Sequence, residues 1–287
     1  MMTTRVYIYI IGVFLLVGIG QSKAQTPQYA KADSLKVVRL LAEAAKADKA
    51  TNWVLFFSKR LDGIPYVAKT LEKNDKERLV INLQQLDCTT FVETVMALSL
   101  CAKNKQTRFD DYCRFLRMLR YRGGMVSYPT RLHYFTSWIA DNTTLGFVFE
   151  VQQPDTIFTQ TQTLAIDYMS QHVGKYPMLV KNPSWTKEIS DIEKALNGKK
   201  YRFIPKGEIA NTKAFRQVIH DGDIIAIVTN KKGLDTSHIG FAVWRKDGLH
   251  LINASQIHKK VVNESMTLYE YMLKHPTQTG IRIIRPL

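Results

Sequence analysis

Residues 86–93 read Leu86-Asp87-Cys88-Thr89-Thr90-Phe91-Val92-Glu93, and the chain continues without a breaker to Leu100. Phe91, Val95 and Leu98 recur at i, i+4 and i+7, the spacing of one apolar helix face. Asp87 stands where an N-cap belongs, immediately before the first periodic residue. The stretch therefore predicts a helix that starts at a cysteine. At that end the backbone N–H groups have no intrahelical partner and the helix dipole is positive. Both features favour thiolate over thiol and predict a lowered pKa for Cys88. A thiolate attacks carbonyl carbon, and the Cys88 N–H is placed to donate to the oxyanion that forms.

Helical periodicity also covers residues 32–46, 52–60 and 110–120, the last stopped by Gly123-Gly124. Residues 78–83 alternate like a short strand. From 123 to 206 the chain is rich in aromatics, Thr and Pro, which predicts loops and short strands with helices around Ala165 and Ile192. Beyond it, residues 223–229, 238–245, 249–254, 260–262 and 280–284 are β-rich runs separated by turns, several of them Gly-containing. Helices followed by an antiparallel sheet give the α+β class.

Two polar residues on the predicted sheet bear on Cys88. His238 opens a strand in Thr236-Ser237-His238-Ile239-Gly240, and Asn253 lies on the next run, Leu251-Ile252-Asn253-Ala254-Ser255. If these strands pair, the Asn253 carbonyl can accept from one ring nitrogen of His238 and direct the other toward Cys88, the orienting role of a third triad group. Each residue also has a plain structural role open to it: a buried cysteine, a surface or capping histidine, a strand-end asparagine.

This set resembles the papain-like NlpC-type cell-wall hydrolases, in which a Cys at a helix start follows an Asp and a His opens a strand before a Gly. More narrowly it resembles a branch associated with N-acetylmuramoyl-L-alanine amidase activity. The matching stretches are Gly63-Ile64-Pro65-Tyr66, residues 86–93, Thr130-Arg131-Leu132-His133-Tyr134, Trp138, Gly222-Asp223, Ser237-His238-Ile239-Gly240 and Ala254-Ser255. The resemblance implies Cys88 as nucleophile, His238 as base and Asn253 as third residue, although most members carry a His there. It implies Tyr66 beside the oxyanion, with residues 67–85 as an insertion between it and the cysteine. It implies Asp87 holding a polar group of the substrate, and Arg131, His133, Tyr134 and Trp138 lining a groove for sugar or peptide. The substrates it implies are peptidoglycan or muropeptide fragments. An endopeptidase cutting the stem peptide after D-Glu, and a wall-binding protein without activity, are the competing functions.

Bulk properties fit this reading. The chain has 287 residues, 45% hydrophobic, with a formal charge of +15. Arg5, an apolar run over residues 6–19 and Ser22-Lys23-Ala24 have the form of a secretory signal cut after Ala24. Removing residues 1–24 takes away Arg5 and Lys23 and leaves +13, on a chain expected in the periplasm or cell envelope. There the basic charge points to anionic envelope polymers rather than nucleic acid, and after cleavage no membrane insertion is expected. Residues 25–287 are read as one catalytic domain, with the inserted loops of 123–206 forming the groove. Three cysteines leave at least one thiol unpaired. No CxxC, HExxH, GxSxG, P-loop or GxGxxG at a helix start is present, so neither a metal nor a cofactor is called for.

Overall fold

The computed structural model describes residues 26–152 and 157–287; the signal expected over residues 1–24 lies outside them. Five helices come first: α1 (Lys31–Ala44), α2 (Trp53–Arg60), α3 (Cys88–Lys103), α4 (Phe109–Arg120) and α5 (Phe135–Thr144). A mixed segment follows, with β1 (Val148–Val151), β2 (Gln160–Thr163), α6 (Tyr168–Gln171), α7 (Pro177–Lys181), α8 (Pro183–Leu196) and β3 (Lys200–Pro205). Then come α9 (Lys213–Val218), β4 (Ile224–Thr229), β5 (Thr236–Trp244), β6 (Leu249–Ser255), β7 (Lys260–Asn263), α10 (Leu268–Leu273) and β8 (Gln278–Pro286). This is the expected α+β order, with each expected helix of the first half in place.

The strands pair in the order β2-β3-β8-β4-β5-β6-β7, with β1 also on β8. All of these pairs are antiparallel. Alternation along the strands divides two cores. Ile224 and Ala226 of β4, Phe241 of β5 and Ile252 of β6 pack with α1–α5, while Ile225, Ile227, Ala242 and Leu251 pack with α9 and α10. Covering both faces explains why β4 is apolar almost without interruption and buried throughout. A third cluster, with Tyr128, Tyr134, Met169, Leu179 and Ile189, fills the space under the mixed segment.

One expected element is not regular structure. Residues 78–83 form no strand, and Val80 makes only an isolated bridge to Gln28. The carbonyls there are taken singly: Arg78 O accepts from the Tyr121 hydroxyl, Leu79 O from Gln28 N and Val80 O from Arg120. Side chains and one passing segment satisfy the backbone where a ladder would have done so.

Candidate active site

The start of α3 is fixed by reciprocal capping. Asp87 Oδ1 accepts from Thr90 N at 2.8 Å, and Thr90 Oγ1 accepts from Asp87 N at 2.9 Å. Cys88 is thereby held in the first helical turn, partly buried, as expected. The Asp87 carboxylate is occupied by this cap and does not line the adjoining cavity.

The sheet delivers the histidine. Ile227 of β4 pairs with His238, but the next pair is Val228 with Thr236, so Ser237 is the extra residue of a bulge beside the site. His238 Nε2 and Asn253 Oδ1 are 2.9 Å apart. A side chain on Gly240 would prevent this, because a Cβ built there lies 2.9 Å from the Asn253 Cβ and 2.7 Å from Ile252 O. With Gly240 bare, Asn253 reaches diagonally across β5 to the imidazole two residues away.

Cys88 and His238 line one cavity of about 200 Å³, together with Thr89, Leu132, His133, Tyr134, Phe135, Met169, Tyr176, Leu234, Asp235, Thr236, Ser237 and Ile239. The Thr89 hydroxyl and the backbone N–H groups of Ile239 and Thr89 favour the charged form of Cys88. Burial and the Asp87 carboxylate oppose them and win, pushing the thiol up to about 12. The lowered pKa anticipated from the helix terminus alone is therefore corrected: desolvation outweighs the terminal N–H groups, and the resting thiol is protonated. Burial likewise lowers the pKa of His238, against the Asn253 hydrogen bond and the charge of Glu264, which raise it. A neutral thiol thus faces a neutral imidazole.

Tyr66 does not line the cavity, but despite the insertion it lies close enough to Cys88 and Asp87 to feel their charge. Tyr66 and Leu86 form a parallel bridge, with Leu86 N donating to Pro65 O at 3.0 Å and Val67 N to Leu86 O at 3.1 Å. Residues 67–85 are an excursion closed at its base, and their number does not set the distance from Tyr66 to Cys88. Burial and the nearby Cys88 and Asp87 raise the Tyr66 phenol to about 12, so it remains a hydrogen-bond donor.

The groove residues divide. His133 and Tyr134 line the cavity. His133 Nε2 bonds Tyr128 O at 2.8 Å, and burial with the nearby Arg131 charge holds the ring well below the usual histidine pKa. The Tyr134 hydroxyl donates to Glu193 Oε1 at 2.6 Å. Arg131 and Trp138 do not line the cavity. Arg131 is buried between Glu72 and Glu77 and lies over the Tyr128 ring, so internal carboxylates occupy the guanidinium assigned to substrate. Trp138 is fully buried in the helical core and stacked on Phe135 with centroids 4.9 Å apart. Aromatic identity does not distinguish a groove residue from a core one.

Met169, Tyr176 and Asp235 of the cavity wall carry no functional signal in the sequence. Ser237 was at least adjacent to the His238 signal, and its buried hydroxyl has no partner within the described residues. Asp235 accepts from Thr136 N and Thr236 N, both close to 2.8 Å, which orders the turn before β5. Cys101 and Cys113 are free and buried. Among the described residues no group of three or more His, Cys, Asp or Glu is arranged to hold a metal, and no helix is long and apolar enough to cross a membrane.

Fold and site together define an α+β protein with a thiol–imidazole–amide cluster where a helix terminus meets an antiparallel sheet. Residues 56–281 match the AmiA-like family, described as N-acetylmuramoyl-L-alanine amidase-like, and the chain belongs to that family. A Bacteroides uniformis structure named an N-acetylmuramoyl-L-alanine amidase is 35% identical, with a TM-score of 0.75 over 81% of this chain and 98% of that one. A Bacteroides fragilis structure named a candidate xylanase is 36% identical, with a TM-score of 0.73 over 79% and 98%. A Legionella pneumophila protein shares the fold at 20% identity, with a TM-score of 0.65 over 88% and 94%. Comparison with curated proteins gave no match.

Proposed function

We propose that this protein is an exported, papain-like cysteine hydrolase that cleaves the amide between N-acetylmuramic acid and L-Ala in peptidoglycan fragments. The observation that carries the reading is the shared cavity of Cys88 and His238, with Asn253 bonded to the far ring nitrogen at 2.9 Å. Cys88 Sγ attacks the lactyl carbonyl carbon as its proton passes to His238 Nδ1. The oxyanion accepts from the Cys88 N–H and the Tyr66 hydroxyl. The C–N bond then breaks, His238 returns the proton to the departing amino group of L-Ala, and a thioester remains on Cys88. Water attacks it, giving its proton to His238, and the muramic carboxylate leaves as the thiol is restored.

Because the thiol starts neutral, proton transfer and attack are coupled, and His238 acts as a true general base. The cavity favours an uncharged group beside the cleaved bond. None of its lining residues carries a permanent positive charge, and His133 is held neutral. A stem endopeptidase would place the free D-Glu carboxylate beside the cleaved bond, where this lining offers hydroxyls but no cation to pair with it. A glycosidase needs two carboxyl groups flanking the bond, whereas Asp235 is the one carboxylate in the lining and both its oxygens are bonded internally.

Mass spectrometry of products from defined muropeptides tests the reading, using the protein lacking residues 1–24 and its Cys88→Ala variant. Intact sugar plus intact peptide, absent with the variant, is expected. Cleavage within the stem would give the endopeptidase, and binding without turnover would leave a wall-binding protein.

A further inference from the structure

Behind Asn253 lies a buried carboxylate that the proposed reaction does not use. Glu264 follows β7 and is 1% exposed. Its Oε1 accepts from Asn253 Nδ2 at 3.1 Å, and its Oε2 lies 3.1 Å from His258 Nε2. The Glu264 backbone is tied to β6, with its N–H on Leu251 O at 2.9 Å and its carbonyl on His250 Nδ1 at 3.1 Å. His258 is held in the β6–β7 turn by its N–H on Ser255 Oγ at 3.2 Å.

The chemistry runs one way along this chain. An ionised carboxylate only accepts hydrogen bonds. Facing Glu264, the Asn253 amide must present its NH₂, so its oxygen must face His238. That oxygen also only accepts, so His238 must carry its proton on Nε2, and Nδ1 is left with the lone pair. We infer that Glu264 is a positioning residue which, through Asn253, sets the tautomer of His238 and so makes Nδ1 the base. An asparagine alone cannot do this, since its two ends are nearly isosteric and either can face an imidazole. The inference rests on the reading of Cys88, His238 and Asn253 as a triad.

The remaining charged and titratable groups near His238 are Asp87, His275 and the Tyr271 ring, whose centroid is 6.2 Å away. None of these three hydrogen-bonds Asn253, whereas Glu264 does.

The test exchanges donor and acceptor. Glu264→Gln lets the Asn253 amide take either orientation, and kcat is expected to fall at least about tenfold with KM nearly unchanged. Asn253→Asp alone sets two carboxylates against each other, and a similar or larger loss is expected. The double variant restores the match, because a carboxylate at 253 accepts from both His238 and the new amide at 264. Its kcat is expected to recover to within about fivefold of the parent, a coupling that independent structural damage does not give. The rate of Cys88 alkylation by iodoacetamide is measured in parallel and needs no cell-wall substrate. If muropeptides are not cleaved, the alkylation rates still report the chain, so failure of the substrate reading is separable. In the parent protein, ¹⁵N-histidine NMR should show the His238 proton on Nε2, a readout that survives even if a variant fails to fold. A proton on Nδ1, or parental kcat and alkylation in Glu264→Gln, overturns the inference.

Discussion

Asn253 leans across Gly240: the two residues approach so closely that a Cβ on Gly240 would stand 2.9 Å from the Asn253 Cβ. This approach, together with the bulge at Ser237, lets an asparagine on β6 serve a histidine two residues away on β5. Gly240→Ala must therefore push β6 and its Asn253 outward. The expected result is a loss of about 1–3 kcal/mol in denaturant unfolding, with a fall in kcat/KM of at least tenfold (roughly 1.4 kcal/mol). Equal activity would show that Asn253 does not need this register.

The two neutral partners set the pH profile. His238 titrates below its ordinary value of 6.5, and the thiol is pushed up to about 12. Activity should be level from neutral pH into the mildly alkaline range and should fall only below pH 6.5, as the imidazole takes up a proton. Alkylation of Cys88 should be slow at pH 7 and rise with pH. A preformed thiolate would instead react fast and show little change over that range.

Tyr66→Phe removes one proposed oxyanion donor and leaves the ring. A drop in kcat of about 10²-fold with KM little changed is expected. Since the phenol stays protonated up to about 12, no alkaline limb should arise from it. An unchanged kcat would leave the backbone N–H as the sole donor.

Acid should also weaken the fold itself. His133 and His238 both have folded-state pKa values below the ordinary 6.5, so between those values the unfolded chain binds more protons. Stability from these groups is present above pH 6.5 and is lost as pH falls toward their folded-state pKa values. Urea titrations at pH 7 and 5 should show the decline, and His133→Gln should reduce its slope.

Away from the cavity, Glu93 and Arg120 form a buried ion pair at 2.6 Å. Arg120→Met leaves the carboxylate alone and is expected to reduce stability by about 3–5 kcal/mol. Adding Glu93→Leu should recover much of this, though not all, because Arg120 also donates to Val80 O at 2.7 Å. Urea unfolding of the single and double variants measures both steps.

The elements legible in the sequence are those whose signal is local. The helix from Cys88, its cap at Asp87, the order of helices before strands and the runs of β4–β8 follow from residue spacing and capping chemistry. So did the pairing of His238 with Asn253, because adjacent runs joined by a tight turn have few ways to pair. The reading failed where partners are distant in the chain. Residues 78–83 alternate like a strand, yet Arg120 and Tyr121 take their carbonyls. Arg131 has a substrate-binding side chain, yet Glu72 and Glu77 already hold it. Trp138 fails for another reason: its partner Phe135 is only three residues away, and aromatic identity does not separate core from groove.

The sequence by itself determined which chemistry is present: a thiol at a helix terminus, an imidazole at a strand opening, and a bare residue two positions on. Only the tertiary structure decided how those groups are charged and which way they point. Ionisation depends on how far burial removes water from Cys88 and His238, and orientation depends on Glu264 lying behind Asn253. Both are properties of packing between segments remote in the chain, and no local pattern records them.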